Sequence, residues 1–471
     1  MAGEITIPVW LFLILLALAS IVVVQKFLFP GIRWFFRKKI NQAIVELNQK
    51  FNITLKPFQL TKRQVLLDRL IHDSEVLDFV QDQAKHDEVP LDVLMEKVQR
   101  YAREIVPSFN AYIYYRFGFW LSKKLALMLY KVQVKTASDQ QLNQLDKDST
   151  IVFVMNHRSN MDYILVSFLV SEKMTMSYAV GEWARVWPLQ GLIKSMGAYF
   201  VRRNSRNPLY RKVLERYIDM ATREGVCQAV FPEGGLTRDG ELRPAKLGFM
   251  DYMLRNYDHN KHRDIVFIPV GINYDRVLED KTLIRSLDPN AEQKSSWFAV
   301  KTSLKFWVRN IQLARRHQWK RFGYASVNFS EPISSKAYCL QHQVNFSSLK
   351  TQPRIDQVTR FAEHLMKQIE HSIPVVPLVT VACITSSMPA DGMEKSAILK
   401  QARELNIKLE NEGAKILFPN KDMLRNLEAA LDMLCLRRLL EVKENRYFVT
   451  NEGASLLCYY RNSIAHRLGN K

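Results

Sequence analysis

At 471 residues the chain is too long for one ordinary compact core, so its length favours two or three packed units. Its 67 Lys and Arg exceed its 47 Asp and Glu by 20, which points to phosphate-bearing partners: a membrane, a nucleic acid or a phosphorylated ligand. The five cysteines are scattered and never form a C-x-x-C pair, which argues against a disulfide framework and a zinc site.

The N-terminus contains an apolar segment, Ile5 to Val24, with no charged residue. Its length as a helix, roughly 30 Å, equals the thickness of a bilayer's hydrocarbon core, so we expect a membrane span. Basic residues follow the segment rather than precede it, which is the reverse of a cleavable signal peptide. The positive-inside rule then places the rest of the chain in the cytoplasm.

Residues 40–135 have mostly helical periodicity, clearest in Val65 to Val80 and Leu91 to Ile105. The last part, Ala111 to Tyr130, mixes aromatic side chains with Arg116, Lys123 and Lys124. This mixture suits a helix on or near a bilayer surface, and packing against the next domain explains it as well.

From about residue 150 to 332, short β-rich runs alternate with helical stretches. The runs are Ile151 to Met155, Ala198 to Val201, Ala229 to Phe231, Ile265 to Val270 and Tyr324 to Phe329. The alternation predicts an α/β domain with a mostly parallel sheet flanked by helices, and sites at the carboxyl ends of its strands.

Beyond about Ser334 the periodicity is again helical. The apolar run Ile373 to Ile384 is too short to span a membrane. Near the end, Leu439 to Val442 and Tyr447 to Thr450 flank a polar turn between helical patterns, which is typical of a winged-helix module. We therefore predict four units: an anchor at 1–30, a helical unit at 31–135, an α/β domain at 136–335 and a helical unit at 336–471.

The segment Asn156-His157-Arg158-Ser159-Asn160-Met161-Asp162 follows the first predicted strand directly. Within one helix His157 and Asp162 would point about 140° apart, so they meet only if a turn intervenes and Asp162 lies in the next helix's first turn. A carboxylate on one imidazole nitrogen would leave the other to act as a general base. By itself the pattern also suits a surface His and a helix-capping Asp.

A second segment, Phe231-Pro232-Glu233-Gly234-Gly235-Leu236-Thr237-Arg238-Asp239-Gly240, also follows a predicted strand. Its paired glycines allow close backbone approach to a ligand, and Arg238 and Lys246 could bind a phosphate. Glu241 stands where a nucleotide-binding P-loop needs Lys. A tight turn without a ligand remains an alternative.

Two further segments are weaker alone. The first ends on two cations, which also suit a solvated face; it is Gly197-Ala198-Tyr199-Phe200-Val201-Arg202-Arg203. The second reads as a core strand leading into a loop; it is Ile268-Pro269-Val270-Gly271-Ile272-Asn273-Tyr274-Asp275.

Taken together and in order, the four segments resemble the glycerol-3-phosphate acyltransferase branch of the phospholipid/glycerol acyltransferase superfamily. That branch carries blocks close to HRSHMDY, GAFFIRR, F-x-EGGRSRTG and IP-x-YIGYE. The resemblance covers about Thr150 to Val277 and extends more loosely to Tyr459 through His466.

The resemblance implies that His157 is the general base and Asp162 its partner. It implies acceptor-binding roles for Arg202, Arg203, Glu233, Gly234, Gly235, Thr237, Arg238 and Lys246. Two departures concern the site: Asn160 replaces the second His of the first block, and Leu236 replaces an Arg of the third.

The implied activity is transfer of an acyl chain from acyl-CoA or acyl-carrier protein to the sn-1 hydroxyl of glycerol-3-phosphate at a bacterial inner membrane, with membrane lipids as further partners. No cofactor and no metal are implied. The alternative is a lysophosphatidate acyltransferase, because the third block begins Phe-Pro-Glu-Gly as in those enzymes. A membrane-tethered nucleic-acid-binding protein would leave the four ordered blocks unexplained, so we expect no nucleic-acid partner.

Overall fold

The structure is a computed structural model that describes residues 57–136, 146, 148–170, 175–181, 189–202, 205–287, 322–417 and 422–469. The predicted span at Ile5 to Val24 lies outside these residues. Of the helices that are described, none is both long and apolar enough to cross a bilayer.

The described chain begins with short helices that pack on one another and on the sheet. They are α1 (Pro57–Leu60), α2 (Arg63–Ile71), α3 (Ser74–Asp87) and α4 (Leu91–Ile105). The predicted helical pattern around Val65 to Val80 is broken at Asp73, whose side chain accepts hydrogen bonds from the backbone of Glu75 and Val76 and so caps α3. A π-helical turn (Ile113–Gly118) then leads directly into α5 (Phe119–Leu129).

An eight-stranded sheet forms the centre of the molecule, in the order β1-β7-β6-β2-β5-β3-β4 with β8 paired to β6. The strands are β1 (Lys131–Thr136), β2 (Thr150–Met155), β3 (Met176–Gly181), β4 (Tyr199–Val201), β5 (Cys227–Val230), β6 (Ile265–Tyr274), β7 (Tyr324–Phe329) and β8 (Ile333–Ser334). Strands β6, β2, β5, β3 and β4 are parallel, whereas β7 and β8 run antiparallel to β6. The predicted α/β fold with a mostly parallel sheet is confirmed.

Helices connect the parallel strands and cover both faces of the sheet. They are α6 (Met161–Val170), α7 (Leu189–Ser195), α8 (Pro208–Arg223), α9 (Gly248–Leu254) and, after β6, α10 (Asp280–Arg285). Along β2, Val152 and Val154 pack into one hydrophobic core and Phe153 and Met155 into the other. This strand is apolar throughout because its two faces are both buried.

Three strands of the sheet are absent from the sequence-based prediction. Strands β3 and β8 were not anticipated, and β1 begins at Lys131, inside the segment predicted to be helical as far as residue 135. Strand β1 is short and follows α5 directly, so the helical periodicity hides it. Its pairing with β7 joins residues almost 200 positions apart, from Lys131 with Tyr324 to Thr136 with Phe329.

Helix α5 has one buried side and one exposed side. It buries Ala126 and Leu129 in the core beside α6, whereas Trp120 on its outer side is 52% exposed. Phe117 and Leu127 are exposed with it.

The C-terminal part is helical apart from small strands. It contains α11 (Ser335–His342), α12 (Thr351–Ser372), α13 (Pro377–Ser386), β9 (Met393–Glu394), α14 (Lys395–Asn411), α15 (Met423–Leu436), β10 (Leu440–Lys443), β11 (Arg446–Val449) and α16 (Asn451–Asn462), with 3-10 turns at Phe346–Ser348 and Ala465–Arg467. The apolar run Ile373 to Ile384 forms most of buried helix α13. Strands β10 and β11 pair as an antiparallel hairpin between α15 and α16. The division of the chain into four units stays a prediction.

Candidate active site

The loop between β2 and α6 carries His157, and Asp162 lies in the first turn of α6. The turn between them brings His157 Nδ1 to 3.0 Å from Asp162 Oδ2. Both side chains are buried, with exposures of 1% and 0%. An imidazole that donates its Nδ1 proton to a carboxylate keeps Nε2 as the nitrogen that accepts a proton.

The carboxylate of Asp162 is held by three further donors. Its Oδ2 accepts the backbone N–H groups of Arg158 at 2.8 Å and Ser159 at 3.0 Å. Its Oδ1 accepts the hydroxyl of Tyr274, at the end of β6, at 2.5 Å. A buried carboxylate with four hydrogen bonds has little freedom to rotate, so it fixes the orientation of the His157 ring.

The loop after β5 clamps the loop that carries His157. The backbone N–H of His157 donates to Glu233 Oε1 at 2.7 Å, and the backbone N–H of Thr237 donates to the carbonyl of His157 at 3.0 Å. The ring of His157 stacks on Phe231 with centroids 3.9 Å apart. The second predicted segment therefore supports the backbone and the ring of the first.

Burial raises the pKa of Glu233 to about 7, although the N–H donors of His157 and Arg243 act in the opposite direction. Both carboxyl oxygens of Glu233 accept backbone hydrogen bonds. Glu233 is buried, and it is not among the described residues that line the cavity beside His157.

Glu279 provides a second, half-buried carboxyl group that contacts the loop carrying His157. It accepts the hydroxyl of Ser159 at 2.8 Å and the side-chain amide of Asn160 at 3.1 Å. Burial raises the pKa of Glu279 to about 7. Asn160, which departs from the block's second His, thus serves here as a hydrogen-bond donor to Glu279.

A cavity of about 400 Å³ opens beside His157. Its walls are largely apolar, with Val180, Leu214 and Phe249 among the residues that line it. The cations on its wall within the described chain are Arg202, Arg211 and Lys246. A mostly apolar cavity with a few polar groups beside a possible base is the usual form of a small-molecule site.

The paired glycines Gly234 and Gly235 line this cavity. Gly234 has a φ of 70°, and a Cβ added there would lie 2.7 Å from Cδ of Lys246. The absence of a side chain therefore lets the Lys246 stem lie across the turn.

The remaining predicted residues are placed differently. The Thr237 hydroxyl donates to Asp239 and accepts from the backbone of Gly240, which stabilises the turn. Arg238 is exposed and is not among the described residues that line the cavity. Arg203 lies outside the described residues.

Arg202 lines the cavity, but it also forms an ion pair with Glu104 of α4 through two hydrogen bonds. Its Nε lies 2.9 Å from Glu104 Oε1, and its Nη2 lies 2.7 Å from Oε2. The guanidinium also lies near the rings of Tyr101 and Tyr210, which contact each other edge to face. Hydrogen bonding to Glu104 raises the pKa of Arg202.

The C-terminal helix α16 contacts the same loops. The buried guanidinium of Arg158 lies 4.9 Å from the ring centre of Tyr459 and donates to the carbonyl of Gly240 at 3.0 Å. Asn462 donates to the carbonyl of Asp239 at 3.0 Å. The site is therefore supported by residues from both ends of the described chain.

Sequence reasoning missed Tyr274, Glu279, Glu104 and Arg211. Tyr274 had a signal, because it lies in the fourth segment at the carboxyl end of a strand, where site residues of parallel sheets gather. The other three had no local signal. Within the described residues, no group of three or more His, Cys, Asp or Glu is placed to hold a metal ion.

Comparison with known families identifies two matching models. The model described as Acyltransferase matches residues 135–273 and therefore includes His157, Asp162 and the loop after β5. The model described as Glycerol-3-phosphate acyltransferase C-terminal region matches residues 310–470.

Curated relatives have the name glycerol-3-phosphate acyltransferase. The protein from Ectopseudomonas mendocina (strain ymp) is 26% identical over 426 residues, which cover 86% of this chain and 49% of that protein. The protein from Pasteurella multocida (strain Pm70) is 27% identical over 432 residues, which cover 87% of this chain and 50% of that protein. The chain thus spans about half the length of the curated relatives it matches.

One solved structure, the 1-acyl-sn-glycerophosphate (LPA) acyltransferase from Thermotoga maritima, matches with 15% identity and a TM-score of 0.29. The match covers 65% of this chain and 96% of that one.

We expect the substitution Glu279→Gln to change stability in a pH-dependent way. Because the native carboxyl has a raised pKa of about 7, it retains a proton that the unfolded chain releases near pH 4.5, so its contribution to stability falls as pH rises between these values. Gln is neutral throughout. The stability of the variant relative to wild type should therefore be greater at pH 8 than at pH 5. The difference between their free energies of unfolding should shift in favour of the folded variant by up to ~3 kcal/mol.

Chemical denaturation at the two pH values measures this difference, with the exposed Glu363→Gln on α12 as control. An equal effect of Glu279→Gln at both pH values would show that this carboxyl is ionised throughout the range.

Proposed function

Because the chain belongs to the acyltransferase superfamily and resembles its glycerol-3-phosphate branch over most of its length, we propose that it acylates the sn-1 hydroxyl of glycerol-3-phosphate. The product would be lysophosphatidate, the first acylated intermediate of phospholipid synthesis. The observation that carries this proposal is the buried His157–Asp162 pair beside a cavity with cations on its wall.

The proposed reaction is direct transfer. Nε2 of His157 removes the proton of the acceptor hydroxyl while the hydroxyl oxygen attacks the thioester carbonyl carbon of acyl-CoA or acyl-carrier protein. Asp162 stabilises the imidazolium that forms. When the C–S bond breaks, the thiolate takes the proton from the imidazolium, so the enzyme returns to its starting state. No acyl-enzyme and no cofactor are required.

The cavity supports this assignment through its chemistry. Its apolar wall suits an acyl chain, and its cations suit the phosphate of the acceptor. Lys246 is well placed for this role because it crosses the glycine turn beside His157. Arg238, to which the resemblance assigns the same role, is exposed outside the described cavity wall.

A second candidate is acylation of lysophosphatidate. Phe231-Pro232-Glu233-Gly234 favours it, because this sequence resembles the third block of lysophosphatidate acyltransferases. The His157–Asp162 chemistry would be the same, and the acceptor would carry an acyl chain already. The second block, which ends in Arg202-Arg203, is closer to the glycerol-3-phosphate branch.

The proposal includes a membrane location, with the predicted anchor at Ile5 to Val24 and the catalytic residues on the cytoplasmic side. The outer side of α5 supports contact with lipid. It exposes Trp120, with Lys124 Nζ 4.8 Å from its ring centre, and Phe117 and Leu127 lie on neighbouring turns. Aromatic and cationic side chains together are typical of helices at a membrane interface.

The activity test offers glycerol-3-phosphate and lysophosphatidate side by side to purified protein in detergent or liposomes. We expect wild type to form lysophosphatidate from glycerol-3-phosphate, and His157→Ala to lose about 10²–10⁴-fold in rate because the general base is removed. The exposed His364→Ala on α12 is the matched control and should retain full activity.

Activity on lysophosphatidate alone would assign the second candidate function. Unchanged activity in His157→Ala would contradict the proposed mechanism for either acceptor.

The membrane contact of α5 can be tested with anionic vesicles that contain brominated lipids, which quench tryptophans in the bilayer interface. We expect Trp120→Phe to remove a quenchable part of the emission, because Trp120 should be inserted at the interface. An identical quenched emission in wild type and Trp120→Phe would show that this side of α5 does not contact lipid.

A further inference from the structure

The three cations on the cavity wall differ in how their charge is balanced. Arg202 is paired with Glu104 through two hydrogen bonds and lies 5.2 Å from the ring centre of Tyr101 and 5.1 Å from that of Tyr210. Its charge and two of its donor nitrogens are therefore engaged by protein groups. A phosphate that took this guanidinium would have to break both hydrogen bonds between Arg202 and Glu104, which costs free energy.

Arg211 and Lys246 are in a different situation. Within the described part of the chain, neither forms an ion pair with a carboxylate, although both line the cavity. Both side chains are exposed cations on the wall of one cavity, an arrangement that suits an anionic ligand.

The guanidinium of Arg211 is held by one hydrogen bond to the segment before α8. Arg211 lies in the first turn of α8, and its Nε donates to the carbonyl of Ser205 at 2.7 Å, which orients the guanidinium at the cavity wall. The positive charge of Arg211 also acts on Tyr252, another residue of the cavity wall. Burial raises the pKa of Tyr252, and Arg211 acts in the opposite direction.

On these grounds we infer that Arg211, together with Lys246, binds the phosphate of the acceptor, and that the Arg202–Glu104 pair is a structural part of the cavity wall. The inference rests on the proposed function, because it concerns the acceptor of that same reaction. It adds a specificity-determining residue that lies outside the four motif segments.

The test measures initial rates of the full chain in detergent or liposomes with varied glycerol-3-phosphate. Arg211→Gln should raise KM for glycerol-3-phosphate about 10-fold or more, because a charge-assisted hydrogen bond is lost. It should leave kcat within about twofold. The exposed Arg206→Gln, five residues earlier, removes the same charge away from the cavity wall and should leave both constants unchanged.

Inorganic phosphate provides a readout that a purely structural role of Arg211 would not change. Phosphate should inhibit competitively against glycerol-3-phosphate, and Arg211→Gln should raise its inhibition constant in parallel with KM. Arg211→Lys, which keeps the charge but not the fork of donors, should restore part of the affinity.

The variant Glu104→Gln distinguishes Arg202 from Arg211 as the ligand of the phosphate. If Arg202 were the phosphate ligand, removal of its competing carboxylate would lower KM for glycerol-3-phosphate, and that result would overturn the inference. An unchanged KM and an unchanged phosphate inhibition constant in Arg211→Gln would overturn it as well. If wild type formed no lysophosphatidate from glycerol-3-phosphate, the proposed function would fail first, and the acceptor assignment with it.

Discussion

The buried carboxylate of Asp162 is the constraint on which the site depends. A carboxylate removed from water is stable only when its oxygens accept hydrogen bonds, and Asp162 obtains four donors from its own loop, from His157 and from Tyr274. These donors require β2 to end where it does, α6 to begin immediately after the turn, and β6 to lie next to β2. The structure meets the first two requirements because β2 ends at Met155 and α6 begins at Met161, and it meets the third because β2 and β6 are parallel neighbours.

The same constraint explains why distant parts of the chain meet at this loop. Glu233 holds the backbone of His157 from the loop after β5, and Glu279 holds Ser159 and Asn160 from the segment after β6. Both carboxyl groups have a pKa raised by burial, so the loop lies among groups that change charge near neutral pH. Helix α16 contacts the same loop, because Tyr459 lies against the guanidinium of Arg158. The C-terminal region therefore takes part in the architecture of the site, which agrees with its match to a model of the acyltransferase C-terminal region.

Local pattern was enough to predict part of this arrangement. The strand-turn-helix pattern around His157 and Asp162 predicted that the two side chains could meet, because their spacing of five excludes contact within one helix. The roles of Tyr274, Glu279 and Glu104 could not be predicted in this way, since their partners lie 112, 120 and 98 positions away. Strand β1 was missed for the same reason: its pairing with β7 crosses most of the α/β domain. Contacts of this kind follow from the sheet topology and not from periodicity.

We propose that His157 and Asp162 act as one unit, in which Asp162 acts only through the imidazole. A double-mutant cycle of His157→Ala, Asp162→Ala and the combined variant, measured as kcat/KM for acyl transfer, tests whether their effects are coupled. We expect the double variant to be no slower than His157→Ala alone, since the aspartate has nothing left to orient. Losses that multiply in the double variant would show that the two residues contribute independently, and Asp162 would then have a role apart from the imidazole.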